Sequence, residues 1–281
     1  MDHEAFRRRQ HRLTLDGIAH LPLQVAYTDI GHGPPVVLLH GIPTWSYLYH
    51  EVIDRLAAAH RVIAPDFVGH GWSDRRDCFD RSLVAQRQMV LRLLDALGLA
   101  RVDLIGHDTG GGVALMMAIE NPERIRRLVL SNIVAYDSWP IDDMIQLGHP
   151  GWRARPAADV VTLLRQGFAA GLSRAERLTD AFVAGMVAPY ADAEGKLSLV
   201  RNAAALNTNH TTMLVDRHAS IAAPTLLPWG ADDPWQRLAD GERLASEIPR
   251  ATLEAIPRAS HWVPQDAPDA WLDHVLPFLA R

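Results

Sequence analysis

"LIGHDTGGGVAL", residues 104–115, sets an aspartate at the apex of a glycine-rich turn between an apolar run and a stretch of small residues. A buried strand that turns tightly and leaves as a helix has this texture, and such a turn presents its central residue above a parallel sheet. Gly106 and Gly110 stand two residues to either side of Asp108. Side chains at those positions would collide as the turn closes, so glycines suit a strained nucleophile elbow. The N-terminus of the following helix favours an anion at the apex. Gly-x-Asp-x-Gly also occurs in ordinary turns, so the rest of the chain has to decide.

Apolar runs of strand length recur at 36–40, 61–66, 102–106, 127–132, 224–230 and 251–257. Their near-continuous hydrophobicity suits a sheet covered on both faces. Helical patterns lie between them, at about 46–59, 82–98, 111–121, 238–248 and 267–280. Alternating strands and helices predict right-handed βαβ units and an α/β doubly wound, mostly parallel sheet. The alternation stops between about Val134 and Arg217, where "ADVVTLLRQGFAAGL" and "RAERLTDAFVAGMV" have helical texture. The expected organisation is a core over 1–133, an inserted helical cap over 134–217, and the rest of the core over 218–281. Additional helices packed on the sheet as scaffold are the plainer alternative for the middle stretch.

The bulk composition narrows the function. A chain of 281 residues, 48% hydrophobic and 22% charged, is that of a globular protein with room for one large domain and an insertion. Its net charge of −5 gives no case for nucleic acid or an anionic membrane as partner. Cys78 is the sole cysteine, so no disulfide within the chain is possible and a reducing cytoplasm is expected. The start "MDHEAFRRRQ" has no apolar leader core, and no stretch has the roughly 20 apolar residues of a membrane span. The 14 histidines are scattered without metal-ligand spacing, so neither metal nor cofactor is expected.

Three further motifs join the elbow. His40-Gly41-Ile42-Pro43 follows a predicted strand and would aim the Ile42 N–H at the apex. With the Thr109 N–H it would make a two-donor oxyanion hole. "WGADDP" (229–234) brings a carboxylate to the tip of another strand, and "ASHWVPQDAP" (259–268) places His261 beyond the last one. The order nucleophile, acid, histidine is that of the Ser-Asp-His hydrolases built on an elbow, with aspartate in place of serine. Counting a Gly-x-x-Asp turn from Gly230 selects Asp233 over Asp232 as the acid. The end of the preceding core strand offers only Asn132, which cannot serve, and Asp137 lies well past it.

"HGIPTWSYLYHEVIDRL" (40–56), "RVIAPDFVGHGWSD" (61–74) and "GHDTGG" (106–111) resemble the aspartate-nucleophile branch of the α/β-hydrolase fold. Haloalkane dehalogenases are the most similar, with epoxide hydrolases and haloacetate dehalogenases as relatives. The resemblance implies that Asp108, Asp233 and His261 form a catalytic triad. An aspartate is anionic at neutral pH and needs no base to attack. It suits displacement at a saturated carbon and gives an ester of its own side chain, which water activated by His261 then hydrolyses.

The chain departs from that pattern where the leaving group is held. Haloalkane dehalogenases are similar to one another in gripping halide between a tryptophan after the nucleophile and a second N–H donor from the cap or the HG-x-P loop. Here those core positions are Thr109 and Ile42. Haloacetate dehalogenases carry arginine where Thr109 stands, and epoxide hydrolases use cap tyrosines. The middle stretch offers Trp139 and Trp152 as indole donors and Tyr136 and Tyr190 as hydroxyl donors, each with core packing as its plainer role. An epoxide hydrolase, including one for a biosynthetic intermediate, and an idle ligand-binding member of the fold are the alternatives to a dehalogenase-like enzyme.

Overall fold

The computed structural model describes residues 1–18 and 21–281. Eight strands form one sheet: β1 (Gln10–Leu15), β2 (Leu23–Ile30), β3 (Pro35–Leu39), β4 (Arg61–Pro65), β5 (Val102–Asp108), β6 (Ile125–Ile133), β7 (Thr225–Gly230) and β8 (Ala251–Ile256). Their spatial order is β1-β2-β4-β3-β5-β6-β7-β8. The pairs β1–β2 and β2–β4 are antiparallel, and the other five are parallel. The six expected strands are present and form the parallel part.

The two N-terminal strands were not expected. β1 is an edge strand with only Leu15 fully buried, so its sequence QHRLTL lacks the continuous apolar run that marks the others. The expected helix over 46–59 is also broken, into a 3₁₀ turn Ser46–Tyr49 and a short helix Ile53–Ala57. Polar groups along it pull toward separate backbone and carboxylate partners. The Tyr49 hydroxyl donates to Leu39 O at 2.8 Å, Tyr47 to Met1 O at 2.8 Å, and Ser46 N to the buried Asp66 at 2.9 Å.

β5 lies at the centre, every residue buried, and runs directly into the helix Thr109–Glu120. That helix packs so closely that glycine is required along it. A side-chain carbon on Gly110 would stand 2.3 Å from the carbonyl oxygens of Leu39 and His40.

Between β6 and β7 the chain forms helices Asp142–Leu147, Ala157–Ala170, Asp180–Val187 and Ala193–Ala204, with short turns among them. Thr179 and Asp192 cap the last two by accepting from Phe182 N and Gly195 N. Buried hydrogen bonds tie these helices to the sheet layer. Trp45 Nε1 donates to Gly185 O at 2.9 Å, Tyr190 OH to Thr44 O at 3.1 Å, and Trp262 N to Gly171 O at 3.2 Å. No described helix is long and apolar enough to cross a membrane.

Candidate active site

Asp108 closes β5 with φ 51°, in the left-handed region where a non-glycine residue is strained. The strand partner is irregular at the same level. His107 pairs with Ser131 but Asp108 pairs with Ile133, so Asn132 is one residue too many, with φ 46°. A bulge of this kind turns a side chain out of the ladder. Here it sends the Asn132 amide toward the loop after β7, where it donates to Gly230 O at 3.3 Å and Asp233 Oδ2 at 2.7 Å. Its oxygen accepts from Gly230 N at 2.8 Å.

The two carboxylate oxygens of Asp108 face different groups. Oδ1 accepts from Ile42 N at 2.7 Å, while Oδ2 stands 3.7 Å from His261 Nε2, beyond hydrogen-bond length. A side-chain carbon on Gly41 would lie 2.1 Å from Oδ1, so the HG-x-P loop can approach this closely only as glycine. Burial is the largest influence on the carboxyl and raises its pKa above the ordinary aspartate value. The charge of His261 and the donors of Thr109 and Ile42 oppose that shift without cancelling it.

His261 Nδ1 meets Asp233 Oδ2 at 2.8 Å. Asp233 also accepts from Trp235 N at 2.8 Å and Gln236 N at 3.0 Å, both on Oδ1. With Asn132 that makes four donors around one buried, acceptor-only carboxylate, which leaves the imidazole oriented with Nε2 toward Asp108. Burial works against a charged His261, yet Asp233 and then Asp108 outweigh it and hold the imidazole pKa above its usual value. Asp232 lies outside this cluster, exposed and accepting from Ser173 Oγ at 2.9 Å. The loop carrying His261 is fixed by buried Asp266, which accepts from Ser260 N, Ser173 N and Arg174 N.

Asp108 and His261 open into a cavity with a largely apolar wall, including Val134, Met144, Leu163 and Leu164. A mostly apolar concavity with few convergent polar groups is the usual form of a small-molecule site. Of the four aromatic residues offered as leaving-group donors, only Trp139 lines it, and its indole N–H is already given to Thr211 Oγ1 at 2.7 Å. The other three require correction. The Tyr136 hydroxyl donates to Glu247 at 2.8 Å and that of Tyr190 to Thr44 O, both away from the cavity. Trp152 packs beneath the Arg155 guanidinium, which sits 4.4 Å from its ring.

Sequence reasoning passed over Trp262, Trp235 and Gln236, which also line the cavity. Their adjacency to His261 and Asp233 was the available signal. The indole N–H of Trp262 is buried and finds no acceptor among the described residues.

A family profile for the alpha/beta hydrolase fold matches residues 34–268. Haloalkane dehalogenase 2 of Mycobacterium tuberculosis is 31% identical over 254 residues, covering 88% of each chain. An alpha/beta hydrolase fold protein from Burkholderia ambifaria superposes with a TM-score of 0.87 at 29% identity, covering 95% of this chain and 97% of that one. The unliganded epoxide hydrolase CorEH superposes with a TM-score of 0.83 at 26% identity, covering 96% and 98%.

Proposed function

The chain belongs to the alpha/beta hydrolase fold family, and from that premise we propose that it is a haloalkane dehalogenase-like hydrolase whose nucleophile is Asp108. The observation that carries this reading is the division of labour in the Asp108 carboxylate. Oδ1 is held by the Ile42 N–H, and Oδ2 faces His261 Nε2 at 3.7 Å, in a residue that lines the cavity.

Oδ2 attacks a saturated carbon of the substrate, the carbon–leaving-group bond breaks, and the leaving group departs with the electron pair. His261 Nε2 then takes a proton from water, and the resulting hydroxide adds to the carboxyl carbon of the Asp108 ester. Negative charge gathers on Oδ1, facing the amides of Ile42 and Thr109. Collapse expels the product alcohol, which recovers the proton from His261, and restores the carboxylate. Asp233 orients the imidazole and supports its charged form between these steps. For a halide the sum is RX + H₂O → ROH + H⁺ + X⁻.

The leaving group needs a donor, and Ile42 and Thr109 do not supply indole or amide side chains. Trp262 is the residue we assign to that role: it lines the cavity beside His261, and its buried N–H, packed against Gly171, has no acceptor among the described residues. The likeness to CorEH supports epoxide opening as the second reading. The hydroxyls of Tyr136 and Tyr190 are engaged elsewhere, which favours the dehalogenase-like one. In this reading the helices over 134–217 act as a cap over the cavity. The exposed, unpaired Cys78 suits a reducing cytoplasm. The deciding experiment is to trap the ester on Asp108 in a His261→Gln variant.

A further inference from the structure

The two residues that flank His261 are both tied to one turn of the chain inserted between β6 and β7. Trp262 N donates to Gly171 O at 3.2 Å. Ser260 N donates at 2.7 Å to Asp266 Oδ2, and that same oxygen accepts from Ser173 N at 2.9 Å. The other oxygen, Oδ1, accepts from Arg174 N at 3.0 Å. One carboxylate thus joins the histidine loop to the turn 171–174, which lies 93 residues away in sequence at Ser173.

Asp266 is wholly buried, and its three donors are all backbone N–H groups. A buried carboxylate is tolerated only when it is well hydrogen-bonded. Because the donors come from two segments, this one is satisfied only while both are in place. Neighbouring contacts repeat the pattern. Gln265 Nε2 donates to Arg177 O at 2.8 Å, and Arg177 Nε to Gln265 O at 2.7 Å. A side-chain carbon on Gly171 would lie 2.4 Å from Trp262 Nε1 and 2.8 Å from Trp235 Cζ3, so only glycine lets the turn come this close.

We infer that Asp266 is a positioning residue for the hydrolytic half-reaction, through which docking of the turn 171–174 holds His261 in place as the base. Lifting the turn takes two of the three donors from Asp266 and the Gly171 carbonyl from Trp262 N. The site then keeps its nucleophile but loses the aim of its base. Alkylation involves no proton transfer, and Asp108 is held by Ile42 N on a separate loop, so that step does not depend on Asp266. The inference rests on the proposed roles of Asp108 and His261.

The full-length wild type and Asp266→Asn are treated with 1-bromobutane and with 1,2-epoxybutane. Rapid quenching and intact-protein mass spectrometry follow formation and decay of the ester on Asp108. The asparagine keeps one acceptor oxygen but turns an amino group toward N–H donors. Decay should slow by about 10- to 100-fold, the scale of a roughly 1 Å misplacement, while formation stays within about threefold. Ester should then accumulate during turnover. A merely structural loss would lower both rates together. Equal slowing of both steps, or unchanged decay in a folded variant, overturns the inference. A second measurement needs neither variant nor substrate. In wild-type amide hydrogen exchange, Ser173, Arg174, Ser260 and Trp262 should be protected to within about threefold of one another, because their ties open in one event. Ser173 and Arg174 protected more than about tenfold less than Ser260 would also overturn it. Failure of the nucleophile assignment looks different, since neither Asp266→Asn nor His261→Gln would then carry an adduct on Asp108.

Discussion

Asn132 donates to Asp233 Oδ2 at 2.7 Å, the same oxygen that meets His261 Nδ1 at 2.8 Å. The residue near the end of β6, chemically unfit to be the acid, thus positions Asp233, the carboxylate proposed for that role in the loop after β7. Asp233→Asn should leave His261 without its orienting acceptor and lower turnover by roughly 10³–10⁴-fold. Asp232→Asn should change it less than about threefold, because an exposed side chain contributes little. Steady-state rates of the two variants, compared on one substrate, check the assignment, and reversed effects would refute it.

Asp108→Asn should abolish turnover while keeping the fold, since the amide oxygen can still accept from Ile42 N. Its effect on stability has a definite sign. A folded-state pKa raised by burial means that the ionised carboxylate costs stability at neutral pH. The variant should therefore melt higher than wild type at pH 7, with the difference closing below about pH 4. Calorimetric melting across that range is the measurement, and a lower melting temperature at pH 7 would count against it.

The hydrolytic half-reaction should fail on the acid side. His261 must be neutral to take a proton, and its pKa is held above the ordinary value, near 6.5, by the two aspartates. Esterification removes the Asp108 charge and leaves Asp233 alone to support the imidazolium against burial, so single-turnover decay of the ester should slow as pH falls into the ordinary imidazole range, near about 6.5. The same shift means that the charged imidazole stabilises the fold most below that pH and fades as pH rises through the raised value. A decay rate that is flat down to about pH 5.5 would exclude His261 as the base.

Trp262→Phe keeps the ring and removes the N–H. If that group holds the leaving anion, turnover should fall by about 10- to 100-fold, the worth of a hydrogen bond to a charged group. The penalty should be greater for chloride than for bromide, the better leaving group. With this single donor, wild-type activity on short 1-chloroalkanes should already be poor. Efficient chloroalkane hydrolysis that survives Trp262→Phe would place the donor elsewhere.

Much of the site was legible because chain order and local chemistry determine it. Asp108 between Gly106 and Gly110, Ile42 after His40-Gly41, and Asp233 counted from Gly230 follow from turns in which close packing admits only those glycines. Side-chain direction was not legible. Tyr136 and Tyr190 fall in the expected stretch, but their hydroxyls turn to Glu247 and Thr44, contacts 111 and 146 residues away in sequence. Asn132 is read from sequence as an absence, a missing acid, because its role depends on a bulge that appears only when β5 and β6 pair. The same holds for β1, whose half-exposed residues carry no run of their own and gain a strand only from β2.

The most direct test is to treat the His261→Gln variant with bromoalkanes and epoxides that the wild type hydrolyses. Glutamine roughly fills the space of the imidazole but cannot serve as an effective base for water. Alkylation needs no base, because a carboxylate attacks as the anion it already is when ionised, and Ile42 still holds its other oxygen. The ester should then persist, since loss of the base slows its hydrolysis by about 10²–10⁴-fold. Intact-protein mass spectrometry should record one added substituent, and peptide mapping should locate it on Asp108. A variant that is inactive and unmodified, with a substrate the wild type turns over, would contradict the nucleophilic aspartate.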